Sequence, residues 1–310
     1  MQKIAFLFPG QGSQYIGMGK DFYDTYACAK EMIDLAGEVS GIDMNALLFT
    51  ENKDIHVTKY TQIAMLADEL AIWSVLKKEG ISSAVNAGLS LGEYAALVAS
   101  GVLTPADAFR VIKKRGEFMQ EAVPTGGGMT AVMGLDNAEI EAICAETEGI
   151  VSVANYNCPG QTVITGEKTA VDTAAVALKA AGAKRCLPLV VSGPFHSDLL
   201  IPAGEQLAAE LEKIEIHEIA IPYITNVTAD YVTDKEEVRS LLQRQVSSSV
   251  RWQQSVERMI ADGVTVFIEI GPKKSLTGFM KKIDKSVTAL HIDTVSDLYD
   301  VQKALAETGA

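Results

Sequence analysis

Cysteine, histidine and long apolar runs are scarce in this sequence, and each scarcity excludes a class of protein. The 310 residues contain four cysteines with no C-x-x-C spacing, which predicts neither a zinc site nor a disulfide framework. No stretch approaches the roughly 20 apolar residues of a membrane span. The first apolar run ends at Pro9, too early for the apolar region of a signal peptide. We therefore expect a cytoplasmic protein with no metal site and no membrane segment.

Basic residues are outnumbered by acidic ones. The chain has 27 lysines and arginines against 40 aspartates and glutamates, a formal net charge of −13. Proteins bind nucleic acid largely by neutralising its phosphates with lysine and arginine, so we expect no nucleic-acid partner. Apolar residues make up 48% of the chain and charged residues 22%, which is typical of a folded protein with a large core.

Apolar patterning divides the chain into a core and an insertion. Two apolar runs, at residues 3–8 and 265–270, predict buried strands of a mostly parallel sheet. Between residues 126 and 191 the pattern predicts strand, helix, two strands, helix and strand, which is the ferredoxin-like order. We therefore predict an α/β fold in which residues 1–125 and 192–310 form an α/β-hydrolase-like catalytic core. Residues 126–191 form an inserted ferredoxin-like small subdomain.

A serine stands in the pattern G-x-S-x-G at residues 88–92, with the sequence GLSLG. A predicted strand precedes it and a predicted helix follows, which is the setting of a nucleophile elbow. The glycines permit a strained turn, and the helix N-terminus favours negative charge that develops beside the serine. These features predict that Ser90 is a nucleophile.

A serine nucleophile needs a base, because its hydroxyl is weakly nucleophilic at its own pKa. The sequence offers four histidines. His56 lies in a polar stretch, His217 is flanked by glutamates, and His291 alternates with apolar residues as in an edge strand. His196 follows a buried strand and a Gly-Pro turn, and active sites of α/β folds collect at such strand ends. His196 is therefore the predicted base.

Two further features each have a structural and a functional interpretation. Arg115 falls on the apolar stripe of a predicted helix, where an unpaired charge would be costly. Arg115 either forms an internal salt bridge or binds a carboxylate of the substrate, which a guanidinium can hold through two parallel hydrogen bonds.

The loop GQGSQ, at residues 10–14, fits neither the dinucleotide-binding nor the P-loop pattern. It is either a tight turn or a loop that directs backbone N–H groups at an anion or oxyanion.

Six motifs follow one another along nearly the whole chain. They are FPGQGSQ, GLSLGEYAALVASG, RGEFMQEAVP, NYNCPGQTVITG, GPFHS and EIGPKKSLTGF. In order and spacing this set closely resembles the malonyl-CoA:acyl carrier protein transacylase family. The resemblance implies an enzyme of fatty acid biosynthesis. Such an enzyme transfers malonyl from malonyl-CoA to the phosphopantetheine thiol of acyl carrier protein through a malonyl-serine ester.

The resemblance also implies roles for residues of this chain. Ser90 would carry the malonyl ester, and His196 would deprotonate Ser90 and later protonate the leaving thiol. The backbone N–H groups of Gln11 and Leu91 would form the oxyanion hole, which gives the GQGSQ loop a purpose. A backbone carbonyl at the position of Gln245, rather than an aspartate, would orient the histidine.

Substrate selection follows from the same resemblance. Arg115 would bind the malonyl carboxylate, and the pocket around it would be lined by Met119, Gln62, Gln161 and Phe195. The pair Phe195-His196 resembles the residue pair found in family members that use malonyl rather than the bulkier methylmalonyl unit. No metal and no bound cofactor is implied, because malonyl-CoA is a substrate and the reaction only exchanges a thioester for an ester.

One position departs from the family pattern, which usually has histidine where this chain has Leu89. The nucleophile, the base and the oxyanion donors remain, so we expect the chain to be active. We also expect it to be a monomer.

Acyl carrier proteins are typically acidic, so docking on this acidic chain needs a local basic patch. The candidate lysines are Lys273, Lys274, Lys281, Lys282 and Lys285, with Lys113 and Lys114 as a second patch.

Three alternatives stay open at the level of sequence. A serine hydrolase or thioesterase could share the same elbow, since hydrolysis and transfer differ mainly in whether water reaches the acyl-enzyme. A discrete polyketide-type acyltransferase would use the same chemistry. A carrier-binding module without activity would explain Leu89 as a sign of decay.

Overall fold

The computed structural model describes residues 2–123, 125–191 and 193–308. Strands and helices alternate along most of the chain, and the strands form two separate sheets. The strands are β1 (Lys3–Phe8), β2 (Val85–Gly88), β3 (Gly127–Met133), β4 (Val151–Cys158), β5 (Gln161–Glu167), β6 (Arg185–Pro188), β7 (Tyr223–Ile224), β8 (Val264–Ile270) and β9 (Thr288–Ile292).

The larger sheet is parallel and has the order β7-β2-β1-β8-β9. Side chains of β1 alternate between its two faces. Phe6 and Phe8 join the apolar cluster on one face, and Ala5 and Leu7 join the cluster on the other. Because both faces are covered, the central strands are continuous apolar runs rather than alternating ones.

Helices supply the cover on both faces. Residues of α4 and α5 pack into the first cluster and residues of α11 and α12 into the second. The Thr104 side chain caps the start of α6 (Pro105–Ala122) by accepting a hydrogen bond from the Asp107 N–H at 3.1 Å. The helices are α1 (Lys20–Thr25), α2 (Ala27–Ser40), α3 (Met44–Phe49), α4 (Thr58–Lys78), α5 (Gly92–Ala99), α6 (Pro105–Ala122), α7 (Asn137–Glu146), α8 (Lys168–Ala180), α9 (Ile201–Leu211), α10 (Val238–Gln245), α11 (Trp252–Ala261), α12 (Ser275–Ile283) and α13 (Val295–Thr308).

The smaller sheet is antiparallel and has the order β4-β5-β3-β6, with α7 and α8 packed against it. This is the ferredoxin-like arrangement, so the predicted α/β core with a separate small subdomain is confirmed. The residue boundaries assigned to the two parts stay a prediction, and one of them, residue 192, lies outside the described residues. Val250 ties the small sheet to the core by donating to the Ala154 carbonyl at 2.7 Å and accepting from the Tyr156 N–H at 2.9 Å.

The carboxyl ends of β1, β2 and β8 meet at one edge of the larger sheet, as parallel strands require. The GQGSQ loop follows β1, Ser90 follows β2, and Gly271 follows β8. Loops at this edge therefore bring together residues that are far apart in the sequence, and active sites of α/β folds lie at this edge. None of the described helices combines the length and apolar character that a membrane crossing requires.

Candidate active site

Ser90 occupies a strained turn between β2 and α5. Its φ of 55° lies in the left-handed region, which costs a non-glycine residue about 1–3 kcal/mol. The flanking glycines allow this turn because there is no room for a side chain at either. A Cβ on Gly88 would lie 2.0 Å from the Gly92 carbonyl carbon, and one on Gly92 would lie 2.3 Å from the Phe8 carbonyl oxygen. The sequence GLSLG thus forms the predicted elbow.

His196 lies directly against this serine. The Ser90 Oγ is 2.8 Å from His196 Nε2. On the other side of the ring, Nδ1 lies 2.9 Å from the Gln245 carbonyl oxygen and 3.1 Å from that of Ser248. Carbonyl oxygens only accept hydrogen bonds, so Nδ1 carries the proton and Nε2 is left to accept from the serine hydroxyl. The imidazole is therefore held in the tautomer that a general base requires.

The environment of His196 keeps the imidazole neutral. Burial is the main cause that lowers its pKa to about 4, and the positive charge of Arg115 acts in the same direction. The backbone hydrogen bonds from Nδ1 oppose this shift only in part. At neutral pH the ring is therefore uncharged and ready to accept a proton.

Two backbone N–H groups beside Ser90 have no acceptor among the residues that the structure describes. Gln11 and Leu91 both line the cavity in front of the serine. In the described part of the chain, neither backbone N–H donates a hydrogen bond to another protein group. Leu91 precedes α5, where the first N–H groups of a helix lack intrahelical partners. These two donors are arranged as an oxyanion hole would need, and their catalytic role stays a prediction.

Arg115 reaches the same point from α6 and is almost fully buried, with 1% of its surface exposed. One terminal nitrogen donates to the Gln62 Oε1 at 2.7 Å. The other donates to the Ser90 Oγ at 3.1 Å and to the Gln245 Oε1 at 3.0 Å. Within the described residues the guanidinium has no ion pair with a carboxylate, which leaves it able to bind one from a substrate. The internal salt bridge, the structural alternative, is not observed among these residues.

A cavity of about 270 Å³ opens in front of Ser90. Of the predicted substrate-binding residues, Arg115, Met119, Gln62 and Phe195 line it, and Gln161 does not. Gln161 begins β5 opposite Met133, and its Oε1 instead accepts from the Lys282 Nζ at 3.2 Å. The lining consists of Gly10, Gln11, Gly12, Ser13, Gln62, Leu89, Ser90, Leu91, Arg115, Met119, Met129, Asn155, Asn157, Val163, Leu189, Val191, Phe195, His196, Ser275, Leu276 and Phe279.

Leu89 forms part of this apolar wall. Its side chain is half-buried and packs with the cluster that also contacts Phe279. It also fits closely against the GQGSQ loop, since a Cβ on Gly10 would lie 2.7 Å from the Leu89 side chain. Leu89 therefore leaves the serine, the histidine and the loop in place and makes the cavity wall beside Ser90 apolar.

Sequence reasoning missed the residue that holds the elbow. Asn226 accepts from the Ser90 N–H at 2.6 Å and donates to the Gly88 carbonyl at 2.6 Å. Its own N–H donates at 3.1 Å to the buried carboxylate of Glu93, which also accepts from the Gln245 Nε2 at 2.6 Å. The only sequence signal was the position of Asn226 just after the short strand β7. Asn155 and Asn157, which supply amides to the cavity, were also missed.

Relatives of the chain share its length and fold. The chain matches the family described as "Acyl transferase domain" over residues 5–300. A protein of Bacillus subtilis (strain 168) named malonyl CoA-acyl carrier protein transacylase is 43% identical over 310 residues, which cover 98% of this chain and 97% of that protein.

Two solved structures are also similar over almost the full chain. Malonyl CoA-acyl carrier protein transacylase from Clostridium perfringens ATCC 13124 superposes with a TM-score of 0.96 at 42% identity, covering 99% of this chain and 98% of that one. A second structure, a type II PKS acyl-carrier protein in complex with its malonyl-transacylase, matches with a TM-score of 0.94 at 41% identity. It covers 97% of this chain and 99% of that one.

Proposed function

This chain belongs to the acyl transferase family, and we propose that it transfers the malonyl group of malonyl-CoA to the phosphopantetheine thiol of acyl carrier protein. The main support for this proposal is the arrangement of Ser90, His196 and Arg115 around one cavity. The Ser90 hydroxyl lies 2.8 Å from a neutral, carbonyl-oriented histidine and 3.1 Å from a buried arginine that has no carboxylate partner among the described residues. A nucleophile, its base and a receptor for a substrate carboxylate thus share one cavity.

In the first half-reaction, His196 Nε2 takes the Ser90 proton as Oγ attacks the thioester carbonyl carbon. The tetrahedral oxyanion accepts from the N–H groups of Gln11 and Leu91, and each such donor stabilises the transition state by about 3 kcal/mol. The C–S bond then breaks, and the imidazolium returns its proton to the leaving CoA thiolate. The malonyl group remains as an ester on Ser90.

The second half-reaction reverses these roles. The carrier thiol gives its proton to His196, and the sulfur attacks the malonyl ester. The intermediate collapses with cleavage of the C–O bond, and the proton returns to Ser90. The exchange is redox-neutral, and we propose that it requires no bound cofactor or metal; full activity after dialysis against EDTA would support this.

Arg115 gives the reaction its preference for a dicarboxylic acyl group. Its guanidinium is buried, so a malonyl carboxylate bound there would form hydrogen bonds in a water-poor site, where charge pairs are strong. Phe195 and Met119 line the same cavity and favour a compact acyl group by filling the remaining space. Acetyl groups would leave the guanidinium without its carboxylate and would be used less well.

We propose that the carrier protein docks on the lysines around α12. This helix forms a wall of the cavity through Ser275, Leu276 and Phe279, so its outer surface borders the opening. Its lysines are exposed, and in the described part of the chain none is ion-paired with a carboxylate. Lys281→Glu together with Lys285→Glu should raise the KM for carrier protein and leave acylation by malonyl-CoA unchanged. If Lys113→Glu has that effect instead, docking lies on the second patch.

The proposal also covers the oligomeric state and the cellular location of the protein. A single chain supplies every proposed catalytic group, so a monomer should be active, which light scattering combined with an activity assay would test. All four cysteines are unpaired thiols, which supports a reducing, cytoplasmic location.

The first experiment is intact-protein mass after brief mixing with malonyl-CoA, on the parent and on Ser90→Ala. A malonyl adduct on the parent alone, discharged by added holo-acyl carrier protein, is the expected result. An adduct lost equally fast to water would favour the hydrolase. No adduct, with malonyl-CoA left intact, would overturn the proposal and favour the inactive carrier-binding module.

A further inference from the structure

A second cavity, of about 330 Å³, lies beside the His196 ring and is also lined by Ser248, whose carbonyl contacts the ring Nδ1. His196 is a wall of both cavities. The rest of the second cavity's lining comes from the end of α10 and the segment that follows it, together with Ser152, Asp198 and Val227. Its lining is predominantly polar, unlike that of the substrate cavity.

Two guanidinium groups face this second cavity. Arg244 and Arg251 both line it, and both are exposed. Across the described ranges, neither has an ion pair with a carboxylate, although acidic residues outnumber basic ones 40 to 27 in this chain. Arg251 lies over the Tyr156 ring, 5.6 Å from its centroid, which restrains the guanidinium. Among the described residues, Asp198 is the one carboxylate that lines this cavity.

Hydroxyl donors accompany the two arginines. Ser247, Ser248 and Ser249 form the floor between them. The Ser249 hydroxyl is used, since it donates to the Val153 carbonyl at 2.6 Å. The Ser248 hydroxyl has no hydrogen bond within the described residues and is available, while its carbonyl holds the His196 ring.

We propose that this cavity binds a small oxyanion of the phosphate class, held by Arg244, Arg251 and the Ser248 hydroxyl. Guanidinium groups present planar, paired donors that match phosphate oxygens, and a hydroxyl adds a neutral donor. Two positive charges against one carboxylate leave the cavity with a net charge of +1, which a monoanion such as dihydrogen phosphate would neutralise. The proposal depends on this geometry and not on the transfer reaction.

An anion bound here would act on the base. The charged groups around the imidazole are Arg115 in front, Glu93 beyond the Gln245 side chain, and Asp198, Arg244 and Arg251 behind. A bound anion adds negative charge near the ring and offsets Arg115, so it favours the protonated imidazole and raises its pKa. At a separation of about 6 Å in a partly solvated site, an upward shift of about 0.5–1.5 pH units is reasonable. Phosphate would thus tune the pH range in which His196 works as a base.

The test is a phosphate titration at constant ionic strength, with chloride as the balancing salt, followed through the imidazole NMR signals. The chain has four histidines, so the His196 signals can be assigned by their loss in His196→Gln. In the parent we expect a saturable shift of the His196 signals and a raised titration midpoint. The double variant Arg244→Gln/Arg251→Gln should lose both effects, and Arg110→Gln, which removes an exposed arginine that does not line this cavity, should keep them.

Repeating the phosphate titration in the presence of saturating CoA or 3′-dephospho-CoA shows whether the cavity takes free phosphate or the 3′-phosphate of CoA. A shift that persists in the presence of CoA assigns the cavity to free phosphate. Displacement by CoA but not by 3′-dephospho-CoA would show that the same cavity takes the CoA phosphate. Displacement by both, an equal shift with chloride alone, or a shift retained by the double variant would overturn the proposal. No readout requires turnover, so failure here is distinguishable from failure of the proposed transfer reaction.

Discussion

Replacing Arg115 by methionine tests the carboxylate receptor and the state of the base together. The variant loses a buried guanidinium that donates to Gln62, Ser90 and Gln245. Removing one partner of a desolvated charge pair costs about 2–5 kcal/mol. Because about 1.4 kcal/mol is a factor of ten in rate, malonyl transfer should fall by about 30-fold to several thousand-fold in kcat/KM. Acetyl transfer should fall far less, since acetyl has no carboxylate to lose.

The same substitution should move the pH profile. The charge of Arg115 is the second cause, after burial, that lowers the His196 pKa to about 4. Without that charge the pKa rises toward its ordinary value. The acid limb of kcat/KM should therefore appear at a higher pH in the variant, because a larger fraction of the imidazole is protonated there.

Both effects can be measured as single-turnover acylation by malonyl-CoA and acetyl-CoA, over a pH range that extends from about 3.5, below the His196 pKa of about 4, to 9. Lys114→Met is the matched control, since Lys114 is the preceding residue on α6 and its side chain is 41% exposed. Thermal unfolding of each variant separates loss of folding from loss of function. A malonyl-to-acetyl ratio equal to that of the parent would refute the receptor role of Arg115, whatever the overall rate.

Three further outcomes follow from the site. The parent kcat/KM should stay level from pH 8 to about 5 and decline below that as His196, with its pKa lowered to about 4, becomes protonated; a midpoint near 6.5 would contradict the effect of burial. Asn226→Ala should lower the acylation kcat about 10- to 100-fold with little change in KM, because the Ser90 N–H loses its acceptor at a cost of about 1–3 kcal/mol; a change in KM alone would argue against a positioning role. Gly92→Ala should lower the Tm, since its Cβ would lie 2.3 Å from a β1 carbonyl oxygen, whereas Gly278→Ala, with nothing within 4 Å, should leave it unchanged or raise it.

The features that sequence predicts well are those encoded locally. The run at residues 3–8 forms β1 with the predicted bounds, because apolar continuity and a closing Pro-Gly pair are both local signals. The G-x-S-x-G turn is local only in part: a side chain on Gly88 would meet Gly92 four residues later, whereas one on Gly92 would meet the carbonyl oxygen of the distant Phe8. His196 could be singled out because only three other histidines competed with it.

Features that depend on side-chain direction could not be predicted. Asn226 lies 136 residues from Ser90, and only the parallel pairing of β2 with β7 brings them together. Gln161 belongs to a motif of the family, yet the pairing of β5 with β3 carries its side chain toward Lys282 instead of the cavity. A motif identifies which residues are close in sequence, whereas the register of the sheet decides which side chains share a cavity.

Gln245 couples the residues of this site, because it has hydrogen bonds to several of them at once. Its carbonyl accepts from His196, its Oε1 accepts from Arg115, and its Nε2 donates to the Ser90 carbonyl at 3.0 Å. The same Nε2 donates to Glu93, so one uncharged amide stands between a buried cation and a buried carboxylate. Burial raises the pKa of Glu93, while the Gln245 and Asn226 hydrogen bonds and the Arg115 charge oppose that rise. Because Ser90, His196 and Arg115 each have a hydrogen bond to this one residue, effects of substituting them should not add, and removing Arg115 should also disturb His196.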